Sequence, residues 1–462
     1  MPDLADFAAT RISLPQRVVA SLSVSRALRR SGCALQNHLA VWIGSPSNQG
    51  LLPVRANHRG RVRPLRFPLQ PEPPCHVSSE TGAGGPMENM TPRGGAGGFL
   101  TRPVSLYLDI VRFGAALAVL IGHAADDGLY HGPYFLYGLG HEAVMVFFVL
   151  SGLVIATTTL RPDRTLRGFV VARLARVYPV VIPAILFSFA LYGLAGRLGI
   201  NAPGWASDPG YSWRTVLISL FLLNESWHST TILPWNFPYW SICYEAFYYA
   251  LFACLVFGRG VWRWVSFLAA ALLAGPRILA LAPIWAMGAW IALDPRLRVT
   301  RPFVGLVLVL VTWPLILSFG AATWDDALRH WLHATVPGWW RLVSSEKMLS
   351  DHLIGVLVMA NFIGFHACAP WFANGLARIE RPVRFVSGST FSLYLFHRPM
   401  THFLVAAGVN AGGDALAFTG ILLGIIAACF LLAEGTEKRR DAARRAIAAL
   451  LNRVLPARLT AA

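Results

Sequence analysis

From about residue 104 onward the chain alternates long apolar runs with short polar stretches rich in Arg. The apolar runs fall at roughly 104–123, 141–160, 177–196, 239–257, 262–275, 278–293, 303–320, 352–369, 388–407 and 415–433. A helix rises about 1.5 Å per residue, so about 20 apolar residues cross the hydrocarbon core of a bilayer. The pattern therefore predicts an all-α fold, a polytopic membrane bundle of about ten transmembrane helices. The runs at 262–275 and 278–293 are short and divided by Gly275-Pro276, so their boundaries are the least defined. A further run at 216–223 is too short to span and reads as re-entrant or interfacial.

Polar residues that interrupt these runs carry the information about chemistry. The first run, 106–123, contains Asp109, Arg112 and His123. Arg112 and His123 are close to three helical turns apart and project from nearly one face, with Asp109 on that face as well. Ionisable groups on an apolar helix are costly in lipid and must face protein, water or substrate. One reading places Asp109 and Arg112 at the membrane surface and lets His123 snorkel at the far end. The sharper reading makes His123 the reactive centre and Arg112 its partner at the opposite depth, about 16 Å away along the axis.

Charge distribution sets an orientation. With the N-terminus inside, Arg161, Arg164, Arg167, Arg173, Arg176, Arg259, Arg296, Arg298, Arg301, Arg378, Arg381 and Arg384 all fall in cytoplasmic loops. The opposite loops hold few basic residues. The positive-inside rule thus favours ten spans with both termini cytoplasmic in an inner (plasma) membrane. This clustering also accounts for the formal charge of +17 without a nucleic-acid partner. With 55% hydrophobic and 14% charged residues, the composition is far from that of a soluble domain, where about a quarter of residues are charged. The Cys residues have no metal-ligand spacing, and no metal site is expected; Cys243, Cys254, Cys368 and Cys429 read as small buried hydrophobes.

Residues 1–100 differ from the rest, with eleven Arg, five acidic residues and scattered Pro and Gly. They are expected to be a disordered or non-native extension without a cleaved signal peptide. Met87 and Met90 stand just before the first span and are candidate start points. The membrane domain is then 101–440, followed by a basic cytoplasmic tail at 441–462. No further domain is suggested.

Other constellations lie deeper in the membrane part. Ser151-Gly152, in the run Phe147-Phe148-Val149-Leu150-Ser151-Gly152, reads as close helix packing rather than a nucleophile, because no base neighbours it in sequence. Arg173 and Arg176, three residues apart just before Val177-Tyr178-Pro179, are either topology anchors or a phosphate site. Glu245 lies within an apolar run, in the stretch 234–249 that also carries Trp240 and Ser241; a buried His or Arg is the expected partner of its carboxylate. His397-Arg398-Pro399 sits mid-span, where Pro399 frees a backbone carbonyl. His397 is either bonded to that backbone or lines a pocket. Asp325, Asp326, His330 and His333 fall in the long outer segment 321–351 and read as ordinary solvated loop residues.

In their joint order and spacing these residues resemble the acyltransferase 3 family of integral-membrane acyltransferases, over roughly residues 100–440. The resemblance rests on the Arg-x10-His spacing of Arg112 and His123, the FFVLSG run, Arg173-x-x-Arg176 before Tyr-Pro, the elements Trp240, Ser241 and Glu245, and SLYLFHRP at 392–399. SGLVI stands where the family more often has SGFLI, and SICYE where SLSVE is usual. The resemblance implies transfer of an acyl group, usually acetyl, from cytosolic acyl-coenzyme A to a hydroxyl, typically of a sugar in a surface or exported glycan. On that implication Arg173, Arg176 and Arg112 would receive the donor. His123 would act as base or acyl carrier, and Glu245 would orient His123 or bind sugar hydroxyls. Asp109, Trp240, Ser241 and His397 are the remaining candidates for substrate contact. The competing class is a transporter or flippase of a glycan or lipid-linked intermediate, since buried charges and Pro-broken spans occur there too.

Overall fold

The computed structural model describes residues 98–133, 138–160, 164–200, 212–227, 231–321 and 323–454. Nearly all of the expected N-terminal extension, with both candidate start methionines, lies outside the described residues. Phe99 already belongs to the packed bundle: it is buried and stacks on His366 at 4.4 Å.

The helices, in chain order, are α1 (Arg102–Asp126), α2 (Gly140–Thr159), α3 (Leu166–Arg197), α4 (Trp213–Leu220), α5 (Trp240–Phe257), α6 (Gly260–Ala274) and α7 (Pro276–Leu293). They continue with α8 (Pro302–Ala321), α9 (Thr323–Thr335), α10 (Met348–Arg378), α11 (Glu380–Ser387), α12 (Thr390–Ala406), α13 (Ala415–Gly435) and α14 (Arg440–Val454). No strand occurs among the described residues, and eight helical segments are long and apolar enough to cross a membrane. The other two expected spans are shorter: α6 has 15 residues, and α12 has 17 and is broken in hydropathy by His397 and Arg398. The short run near 216 forms α4, whose eight residues reach only about 12 Å.

Helix α2 is the centre of the bundle, with 78% of its most apolar window buried, against 17% for α8 and α13 at the periphery. Its Ser-Gly pair explains part of this. A β-carbon on Gly152 would stand 2.0 Å from Trp285 O, and one on Gly288 would stand 1.8 Å from Val149 O. Two glycines thus let the backbones of α2 and α7 touch, as small residues do between membrane helices.

Three sequence expectations are corrected. Arg173 and Arg176 do not lie in a loop before a span; they sit within α3, which starts at Leu166 because Thr165 caps it by accepting from Gly168 N–H at 3.1 Å. The segment after 321, expected as an outer loop, is not simply loop: α9 is amphipathic, Asp325 is buried against Lys347 at 2.7 Å, and Arg329 and His333 both hold Glu346, each at 3.1 Å. The carbonyl freed by Pro399 is that of Leu395, and Asn236 Nδ2 satisfies it at 2.9 Å, not His397. The four described cysteines are free, three of them buried.

Candidate active site

Two polar regions lie along α1. The first is a cavity of about 300 Å³ around Arg112. Its polar lining is Arg112 from α1, Ser151 from α2, Arg173 and Arg176 from α3, Ser241, Glu245 and Tyr249 from α5, Thr390 and Tyr394 from α12, and Arg440 from α14. Arg112 is held by Asp109 at 2.9 Å, and the same carboxylate accepts from Arg384 and from Ser387 Oγ (2.8 Å). Asp109 is therefore committed to tying α1 to α11 and does not line the cavity. Arg176 pairs with the buried Glu437 at 3.0 Å. Arg173 lies over the rings of Phe169 and Tyr249, at 5.8 and 5.6 Å, and its Nε is buried with no hydrogen-bond partner.

Glu245 is the one carboxylate in this lining. It accepts from Ser151 Oγ at 2.6 Å and from Tyr249 OH, and Trp285 Nε1 in turn donates to Ser151 Oγ at 3.2 Å. An apolar run predicts a His or Arg partner for this carboxylate, and the family resemblance allows Glu245 to orient His123. The hydrogen-bond partners found for Glu245 are hydroxyls instead, and His123 has a different partner. Ser151 likewise has an acidic neighbour, brought from 94 residues away by α5.

The second region is a pair of stacked imidazoles, His123 and His397, with rings 4° from parallel and Nδ1 of His123 2.9 Å from Nε2 of His397. His397 Nδ1 stands 3.0 Å from Leu393 O. A carbonyl can only accept, so this nitrogen carries the proton. In a neutral His397, Nε2 is then an acceptor, and His123 Nδ1–H donates to it. The lone pair of His123 is left on Nε2, beside Gly140, where a β-carbon would stand 3.7 Å away. One backbone carbonyl thus selects the tautomer of two rings.

One turn further along, a second tie joins the same two helices. Asp127 caps α1 and is bound by Arg398 Nη2 at 2.7 Å and Thr401 Oγ1 at 2.6 Å, while Arg398 Nε donates to His402 Nε2 at 3.0 Å. Burial raises the Asp127 carboxyl to about 6, with Arg398 and Thr401 pulling the other way. His123 and Asp127, four apart on α1, face His397 and Thr401, four apart on α12.

The regions approach through Tyr394. It lines the cavity, bonds Ser241 Oγ at 2.7 Å, and has its ring centre 6.3 Å from that of His397. His123 and His397 are not among the cavity's lining residues, nor is Trp240, which is buried and stacks with His141 at 5.8 Å. Among the described residues no group of three or more His, Cys, Asp or Glu is placed to hold a metal ion.

The family model described as an acyltransferase domain matches residues 105–434. The chain belongs to the acyltransferase 3 family. Among similar proteins, the exopolysaccharide production protein ExoZ of Rhizobium meliloti is 26% identical over 357 residues, 72% of this chain and 99% of that protein. The acyltransferase MdmB of Streptomyces mycarofaciens is 30% identical over 44% of this chain and 56% of its own length. The O-acetyl transferase of Shigella phage Sf6 is 32% identical over 18% of this chain and 26% of its own. No solved structure matches. Membership decides between the enzyme and transporter classes: the chain is a membrane-embedded acyltransferase. Sequence reasoning had not singled out Asp127, His402, Tyr249, Tyr394 or Arg440.

Proposed function

We propose that the chain transfers an acyl group, acetyl, from acyl-coenzyme A bound at the arginine cavity to a hydroxyl of a sugar in an envelope or exported glycan. The relatives named for exopolysaccharide production and O-acetyl transfer support this acceptor class. What carries the reading is that α1 holds both ends of the site. Arg112 lines the cavity and His123, about 16 Å further along the helix, presents the free Nε2 lone pair.

On this reading the donor's phosphates meet the guanidinium groups, which bind phosphate oxygens in paired hydrogen bonds. The pantetheine arm passes the hydroxyls of Ser241 and Tyr394 and the carboxylate of Glu245. The thioester then reaches the histidine pair. The acceptor O–H gives its proton to His123 Nε2 as its oxygen attacks the thioester carbonyl carbon. The imidazolium that forms is held by its Nδ1–H bond to His397. As the tetrahedral intermediate collapses, the C–S bond breaks, the sulfur takes the proton from His123, and the products are the O-acyl ester and free coenzyme A. Because bulky anionic coenzyme A is made in the cytosol, the arginine cavity faces inward and both termini are cytoplasmic. The acceptor then arrives at the outer face of the inner membrane.

Radiolabelled acetyl-coenzyme A supplied to sealed, inverted membrane vesicles carrying the chain should label a glycan fraction, and sealed right-side-out vesicles should not. Equal labelling in both orientations, or none in either, would overturn the reading.

A further inference from the structure

Four guanidinium groups line the inner cavity, and two already pair with a carboxylate: Arg112 with Asp109 at 2.9 Å, which Arg384 shares, and Arg176 with Glu437 at 3.0 Å. Among the described residues, Arg173 and Arg440 stand in no such ion pair. Arg173 points a buried, unpartnered Nε at its surroundings, and Arg440 is exposed at the cavity wall. Uncompensated charge at a concave, partly buried wall is where an anionic ligand gains most.

Arg440 is unusual in origin. It opens α14, beyond residue 434 where the family match ends. Yet α14 is not a loose tail. The turn that leads into it is pinned by Glu437, whose carboxylate accepts from Arg176, from Ser392 N–H at 3.0 Å and from Ser392 Oγ at 3.3 Å. The body of α14 is fastened to α3 by Arg167, which donates to Ala448 O at 3.2 Å and to Asn452. One carboxylate, Glu437, thus fixes both the position of Arg440 and the side chain of Arg176. The remaining basic residues of α14, Arg444, Arg445 and Arg453, are exposed and do not line the cavity.

We infer that the C-terminal helix is part of the donor site, and that Arg440 with Arg173 clamps a phosphate at the nucleotide end of the thioester donor. This rests on the reading of the cavity as the acyl-coenzyme A site and adds a selectivity to it. The nucleotide is recognised by a helix that lies beyond the family match in this chain, so a bare pantetheine thioester forfeits that contact. The clamp has a direct functional meaning, because it distinguishes coenzyme A from the shorter pantetheine compounds that share its thiol arm.

The test is binding of coenzyme A and of pantetheine to the purified full-length chain, measured by titration calorimetry. Arg440→Ala should weaken coenzyme A about tenfold and leave pantetheine unchanged, with Arg440→Lys recovering part of the loss. Arg444→Ala with Arg445→Ala should bind both ligands as the parent does. Coenzyme A affinity in Arg440→Ala equal to the parent's would overturn the clamp. So would an equal loss in the Arg444/Arg445 variant, which would mean a diffuse field, or a matching loss of pantetheine. If the parent itself does not bind coenzyme A, the donor reading falls and takes the clamp with it; if the parent binds and Arg440→Ala matches it, only the clamp falls.

Discussion

The arginine cavity draws its lining from six helices, whereas the His123–His397 pair needs only two. The cavity gathers charged groups, whose fields act over several ångströms and tolerate a displaced side chain. The imidazole pair is joined by a hydrogen bond, which weakens steeply once distance or angle departs from the optimum. The first region can therefore be assembled loosely from many elements. The second needs α1 and α12 in register, which the Asp127–Arg398–Thr401 tie one turn away provides. Binding and chemistry should accordingly respond to different substitutions in the two regions.

The sharpest break comes from the imidazole pair. His397→Ala removes the acceptor for His123 Nδ1–H and with it the selection of tautomer. It should lower kcat about 100-fold with donor KM unchanged, whereas His397→Gln, which keeps an acceptor oxygen, should retain more of the rate. A rise in donor KM in His397→Ala would merge the two regions that the account separates. Arg173→Ala combined with Arg176→Ala should do the converse, raising donor KM about tenfold or more at nearly constant kcat. An unchanged KM would reduce these residues to topology anchors. Asp127→Asn keeps the size but removes the charge that holds Arg398. Transfer should fall a few-fold in kcat alone, since the tie acts on the register of the rings and not on the donor; an unchanged kcat would leave Asp127 a helix cap and nothing more.

The membrane part was legible because apolar run length dictates spans, and each run lies on a helix, even at the Gly275-Pro276 break; only α3 (from Leu166) and α10 (to Arg378) extend well past their runs, with polar residues. Arg112 and Glu245 were visible as charged groups inside apolar runs, Arg173 and Arg176 as a spaced pair, and Ser241 only through the family resemblance; all five line one cavity. Their partners were not visible, because partnership depends on which helices pack. His397 lies 274 residues from His123, and Glu245 lies 94 from Ser151. Arg440 stood at the boundary of the expected membrane domain and the basic tail, where positive charge reads as a topology signal. Asp127 fell just past the expected end of the first run at 123. A signal was present: Asp127 follows His123 by one turn as Thr401 follows His397, so two helices carry matching polar steps. Asp109 and Trp240 illustrate the opposite case. Both were conspicuous in the sequence, and each is engaged in holding neighbouring elements, Asp109 with Arg112, Arg384 and Ser387, and Trp240 with His141.

The separation of the two regions is tested most directly by one variant examined for both functions. In purified His123→Ala, coenzyme A binding and acetyl transfer to the glycan fraction are measured side by side. If the two regions divide binding from chemistry, coenzyme A binding stays parental while transfer falls by at least about 100-fold. Transfer at the parental rate, or coenzyme A binding lost together with transfer, would contradict it.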